Sequence, residues 1–213
     1  MNAAVAYRVG DGLYVNLTNR CPCDCTFCLR RNGPGLHGSP ALWLDREPDV
    51  DEVWAALLAE DPRRFRETVF CGYGEPTERL DVLLEIARRL KALDSAIRVR
   101  VNTNGLSDLV NGRPTAPLFA GLADCVSVSL NTDDPAKYLA MCRPCFGAAA
   151  WPAMLEFTRQ VAKCVPDTVM TVVGEPVNGA DLQERCRAIA EGLGARLRVR
   201  RYEPPPQAAG KGN

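Results

Sequence analysis

Strand-like and helix-like patterns alternate from residue 12 to residue 203, and this alternation restricts the fold more than any other feature. Strand patterns fall in "GLYVNLTN", "TVFCGYG", "IRVRVNTNG", "CVSVSLN", "TVMTVVG" and "ARLRVRRYE". Helical spacing joins Val50, Val53, Trp54, Leu57 and Leu58, then Leu80, Leu83, Leu84, Ala87 and Leu90, and later Leu182, Cys186, Ile189 and Leu193. "APLFAGLA" suits a short helix, and "DDPAKYLAMC" opens on Asp then Pro, a good helix start. A further helix is predicted over 152–163, and "AEGLG" closes the last one on glycine. That makes about six β-then-α units at roughly 30 residues each, which implies an α/β fold of parallel strands covered by helices. Two closures remain, an open doubly wound sheet or an incomplete TIM-like barrel. Both put the chemistry at the C-terminal ends of the strands.

The 213 residues suffice for one domain, taken as residues 1–203, followed by a proline-led tail at 204–213 with no core-forming pattern. Lys plus Arg and Asp plus Glu balance at 26 each, so no global field marks a nucleic-acid or membrane-surface binder. No apolar run approaches a membrane span, and "MNAAVAYRVGDG" lacks the pattern of a secretory signal. The expected compartment is the cytoplasm.

Four of the ten cysteines, Cys21, Cys23, Cys25 and Cys28, crowd into "CPCDCTFC" directly after the first predicted strand. Reducing conditions and close spacing both disfavour disulfides here, which leaves metal or cluster ligation. Cys21, Cys25 and Cys28 read C-x3-C-x2-C, a triple able to hold three irons of a [4Fe–4S] cube. Cys23, Cys25 and Cys28 form a competing triple, and all four together could hold zinc in an interaction module. The other strand ends carry "GYGEP", "NTNG", "SVSLN", "VVGEP" and "RYEP", so glycine and polar residues gather at one rim.

C-x3-C-x-aromatic-C after a first strand, followed by Gly-x-Gly-Glu-Pro after the second, resembles the radical S-adenosylmethionine (SAM) superfamily. That resemblance implies a partial (β/α)6 TIM-like barrel, with a [4Fe–4S] cluster held by Cys21, Cys25 and Cys28 and SAM chelating the fourth iron. It implies that Gly72, Gly74 and Glu75 receive the methionyl amino group. Asn102, Asn104, Ser127 and Ser129 are expected to face the ribose, and Phe27 and Tyr202 to frame the adenine. A 5′-deoxyadenosyl radical would then take hydrogen from a small-molecule or nucleotide-like substrate, with an electron donor such as flavodoxin or ferredoxin. Minimal members with this architecture include activases of glycyl-radical enzymes and 7-carboxy-7-deazaguanine synthase. "GYGEPT", "SVSLNTDDPAKY" and "CRPCFG" look more narrowly like the radical SAM proteins found beside TatD-type nucleases, which implies a functional link to such a nuclease.

Two departures stand out: Tyr73 replaces the family's second glycine, and Cys23 is an extra thiol expected to point away from the cube. Arg143 and Asn131 are candidates for substrate contact. Arg30, Arg31, Arg198, Arg200 and Arg201 favour an anionic substrate if they line the mouth, and solvated positions if they do not. Cys142 and Cys145 could be half of an auxiliary metal site, and His37 is expected to be incidental.

Overall fold

The computed structural model describes residues 4–31, 41–175 and 178–201. Seven strands form one sheet in the order of the chain: β1 (Ala6–Val9), β2 (Gly12–Val15), β3 (Glu67–Phe70), β4 (Val99–Thr103), β5 (Cys125–Ser129), β6 (Asp167–Val173) and β7 (Arg196–Arg200). β1 pairs antiparallel with β2, and every later pairing is parallel. A doubly wound sheet reverses its strand order at a switch point, and this order never reverses. Every parallel crossover steps to the next neighbour in one direction, so the sheet curls as a partial barrel.

The covering helices are α1 (Val50–Glu60), α2 (Leu80–Leu93), α3 (Ser107–Asn111), α4 (Pro135–Cys142), α5 (Ala150–Val161) and α6 (Ala180–Gly192). Local chemistry explains where they start. Asp49 and Glu52 close a reciprocal capping box on α1, and the Asp134 carboxylate accepts from Lys137 N–H just before Pro135. α2 buries Leu80, Leu83, Leu84, Ile86, Ala87 and Leu90 against the sheet. The outward faces of the strands complete this core with Val15, Phe70, Val99, Val101, Val126, Val128, Met170 and Val172, all at most 2 % exposed.

Three elements differ from the sequence reading. β1 was not expected; it is four residues long, and a two-residue turn through Gly10 (φ +57°) folds it onto β2. α3, inside "NGLSDLVNG", was not expected either, while "APLFAGLA" supplies only a 3₁₀ turn over Ala116–Phe119. α5 begins at Ala150, ahead of its proline, because Pro152 sits in a first turn where its missing N–H costs nothing. Tyr202, His37 and the tail at 204–213 lie outside the described residues.

Candidate functional site

The loop after β2 is fastened on two sides. Asn16 donates to the Leu42 carbonyl at 2.7 Å, and the Asn19 amide exchanges two bonds with the Leu44 backbone at 2.7 and 3.0 Å. On the other side the loop docks on the end of α4. Thr26 N–H donates to the Met141 carbonyl at 2.9 Å, Cys145 N–H to the Pro22 carbonyl at 2.8 Å, and Cys23 bridges Pro144.

The segment after β3 crosses this loop at very short range. A Cβ on Gly74 would stand 2.3 Å from the Thr18 carbonyl oxygen and 2.5 Å from that of Arg20, and one on Gly72 would stand 2.0 Å from Asn16 Oδ1. The glycines are therefore required by the chain's own packing. Tyr73 between them turns to the opposite side, buried with Tyr7 and Leu42 and tilted against Trp43 at 5.2 Å, so its side chain does not disturb the crossing.

Glu75 is the hub of this crossing. It is 4 % exposed, and its carboxylate accepts from Thr77 N–H (3.2 Å), Thr77 Oγ1 (2.9 Å), Thr103 Oγ1 (2.7 Å) and Asn104 N–H (2.7 Å). Burial pushes its carboxyl above the usual range against the pull of these donors. Three of these donors fall on Oε1, and Oε2 takes only the Asn104 N–H. The Glu75 side chain thus ties the end of β4 to the segment after β3.

Five thiols gather beside this hub. Cys21, Cys25 and Cys28 are partly exposed, whereas Cys23 and Cys142 are buried at 5 % and 2 %. Cys23 does not point away as expected. Its thiol bonds those of Cys21 and Cys25 from the buried side of the loop. Cys142 bonds Cys25 and accepts from Asn131 Nδ2 at 3.4 Å. Bonds from Cys142 and then Cys23 hold the Cys25 thiol down to about 4, with Arg30 assisting, and the bond from Cys23 lowers Cys21. Cys23 and Cys142 are correspondingly raised, and burial raises Cys28. Thiolates are the iron-binding form, so a donor set of accessible Cys21, Cys25 and Cys28, two of them eased toward thiolate, fits a three-cysteine cluster. Among the described residues, no three His, Cys, Asp or Glu side chains stand gathered as a ready-made single-ion site.

A cavity of about 480 Å³ opens next to the thiols, lined among others by Phe27, Asn102, Asn131, Arg100, Arg198 and Arg200. Asn102 and Asn131 each turn a buried Oδ1 with no partner, and Asn131 takes a left-handed φ of +67°. Asn104 does not join them. It lies one residue past the end of β4, where strand alternation no longer applies, and its amide donates to Cys21 Sγ and Cys23 Sγ at 3.8 Å. Ser127 accepts from Arg198 Nη2 at 3.3 Å, deeper in the barrel, and Ser129 is partly exposed and lies outside the cavity lining.

Arg143 caps α4 with a left-handed φ of +46° and reaches Asp24 at 3.9 Å, so it braces the cysteine loop and does not line the cavity. Arg30 does similar work, donating to the Cys23 carbonyl at 3.2 Å and facing Asp24 at 3.5 Å. Cys145 is exposed while Cys142 is buried against Cys25, so the pair does not form one auxiliary site. Sequence reasoning overlooked Arg100, Tyr14 and Cys71 as cavity residues. The alternation in "RVRVN" was the available signal, since it sets Arg98, Arg100 and Asn102 on one face.

A family model described as the radical SAM superfamily matches residues 15–189. GTP 3′,8-cyclase of Rhodopseudomonas palustris (strain TIE-1) is 30% identical over 143 residues, covering 64% of this chain and 37% of that protein. GTP 3′,8-cyclase of Streptomyces coelicolor is 34% identical over 137 residues, covering 64% and 37%. The chain thus spans under two fifths of the length of these relatives. Among solved structures, a radical SAM methyltransferase from Sphaerobacter thermophilus superposes with a TM-score of 0.64 at 17% identity, over 90% of this chain and 57% of that one. Streptococcus suis SuiB bound to S-adenosylmethionine superposes with a TM-score of 0.61 at 15% identity, over 89% and 38%.

Proposed function

The chain belongs to the radical SAM superfamily, and from that premise we propose that it is a cytoplasmic enzyme of this class acting on an anionic, nucleotide-like substrate. The family's cofactors are a [4Fe–4S] cluster and SAM. The chemistry this pair supplies is one-electron cleavage of SAM to a 5′-deoxyadenosyl radical able to take hydrogen from a substrate.

The observation that carries the reading is the sorting of thiols. The three accessible ones are Cys21, Cys25 and Cys28, the C-x3-C-x2-C triple, and the two buried ones donate into that set. In this reading Cys21, Cys25 and Cys28 hold the cluster. The backbone of the segment from Gly72 to Gly74 receives the methionyl end, and Glu75 holds that backbone in place. Asn102 and Asn131 offer unpartnered amide oxygens to ribose hydroxyls, and Phe27 offers a ring to the adenine. On the β1 and β2 side of the cavity the rings of Tyr7 and Tyr14 and the side chain of Val9 limit water around the reacting atoms.

The likeness to GTP 3′,8-cyclases and the arginines of the cavity support the anionic substrate. The link to a TatD-type nuclease is proposed on the sequence motifs alone, and a flavodoxin or ferredoxin as electron donor on the needs of the class. Anaerobic reconstitution with iron and sulfide, then dithionite and SAM, tests the reading. Formation of 5′-deoxyadenosine is expected, and a protein that binds zinc at the four cysteines and leaves SAM intact would overturn it.

A further inference from the structure

Two cavities meet inside the barrel. The one at the C-terminal rim carries Asn102 and Asn131, and a second at the N-terminal ends of the strands carries Glu67, Asp167 and Arg196. Arg100 and Arg198 line both, so they form the floor of the upper cavity, with Arg200 beside them. Arg100 lies two residues before Asn102 on β4, about 7 Å deeper at the rise of a parallel strand.

Charge on this floor is unbalanced. Among the described residues lining the two cavities, seven arginines face two acids. Asp167 is taken by Arg196 at 2.8 and 2.9 Å and by Arg98 at 3.3 Å. Glu67 is taken by Arg100 at 3.1 Å, in a pair whose side chains are 11 and 17 % exposed. Arg198 has only the Ser127 hydroxyl at 3.3 Å, and its Nε, like that of Arg100, is buried without an acceptor. Burial and the like charges of Arg100 and Arg200 lower its affinity for its own proton. Burying a guanidinium N–H without an acceptor is costly, and a doubly charged tetrahedral anion would offer acceptors to the Nε donors of Arg100 and Arg198 at once.

We infer that Arg100, Arg198 and Arg200 form a seat for a phosphate group of the substrate at the floor of the barrel, beneath the rim that holds the cofactors. This deepens the proposed function and rests on that reading for the identity of the substrate, but the anion seat can be measured by itself.

The test is calorimetric titration of the reconstituted full chain with inorganic phosphate at constant ionic strength. Saturable binding is expected, weakened at least tenfold in Arg198→Gln and unchanged in Arg185→Gln, whose guanidinium bonds Asp133 away from the barrel. Arg100→Gln strips Glu67 of its partner and is the riskier variant, so Arg198→Gln decides the matter, with circular dichroism to confirm that it folds. Equal affinity for acetate, phosphate binding indifferent to Arg198, or competition between phosphate and SAM would each overturn the inference. Failure of the wild-type chain to cleave SAM, with Arg198-dependent phosphate binding intact, would overturn the radical reading and leave the seat standing.

Discussion

At the level of single residues, Cys23 shows how little spacing says about direction. In an irregular loop the side on which a thiol falls is set by the fold, and here the extra thiol joins the others, with its burial setting it apart. The expected consequence is that Cys21→Ala, Cys25→Ala and Cys28→Ala each lose the cluster, while Cys23→Ser keeps about four irons per chain after reconstitution. Iron content and the visible absorption band check this, and an iron-free Cys23→Ser protein would make Cys23 a ligand. The glycines divide in a similar way. Gly74→Ala drives a methyl group into two backbone oxygens that cannot move apart cheaply, whereas Gly72→Ala meets a side chain, that of Asn16. Gly74→Ala should cost about 3 kcal/mol or more of stability and Gly72→Ala clearly less, as read from urea unfolding. The reverse order would show that the crossing is looser than it looks.

At the level of elements, the strands were legible because their lumen and helix faces alternate, and the helices because their caps and apolar stripes agree. β1 and α3 were not, since four and five residues hold too few turns or alternations to rise above a loop pattern. The site was legible where glycine and cysteine carry it. It was illegible where side chains answer to each other across strands, as Glu75 does to Thr103 and Asn104. Another such cross-strand tie is Asp167 at the start of β6, gripped by Arg196 at the start of β7. The Arg196 bond holds its carboxyl below the ordinary 3.8. A depressed carboxyl stabilises the fold above its unfolded pKa, and that contribution fades as pH falls through the lower folded value. Asp167→Asn should therefore cost about 1 kcal/mol near pH 7, since its arginine partners are largely solvated, and the gap to wild type should narrow below about pH 4. A gap that stays constant from pH 6 to pH 3 would contradict the assignment.

At the level of the whole molecule, strand order decided between the two closures that periodicity allowed, and nothing local could have done so, because each β-then-α unit looks the same in both. The same strand order leaves β1 and β7 as the two margins of the sheet, with no ladder joining them among the described residues. The upper cavity reaches both margins, through Val9 on one side and Val199 on the other. A closed barrel has its bore fixed by strand number and stagger. A split one has no such hoop: its slit can widen by a small change of twist, without breaking a single rung. Guests of different girth can then be admitted from the side while the parallel ladders from β2 to β7 keep their register.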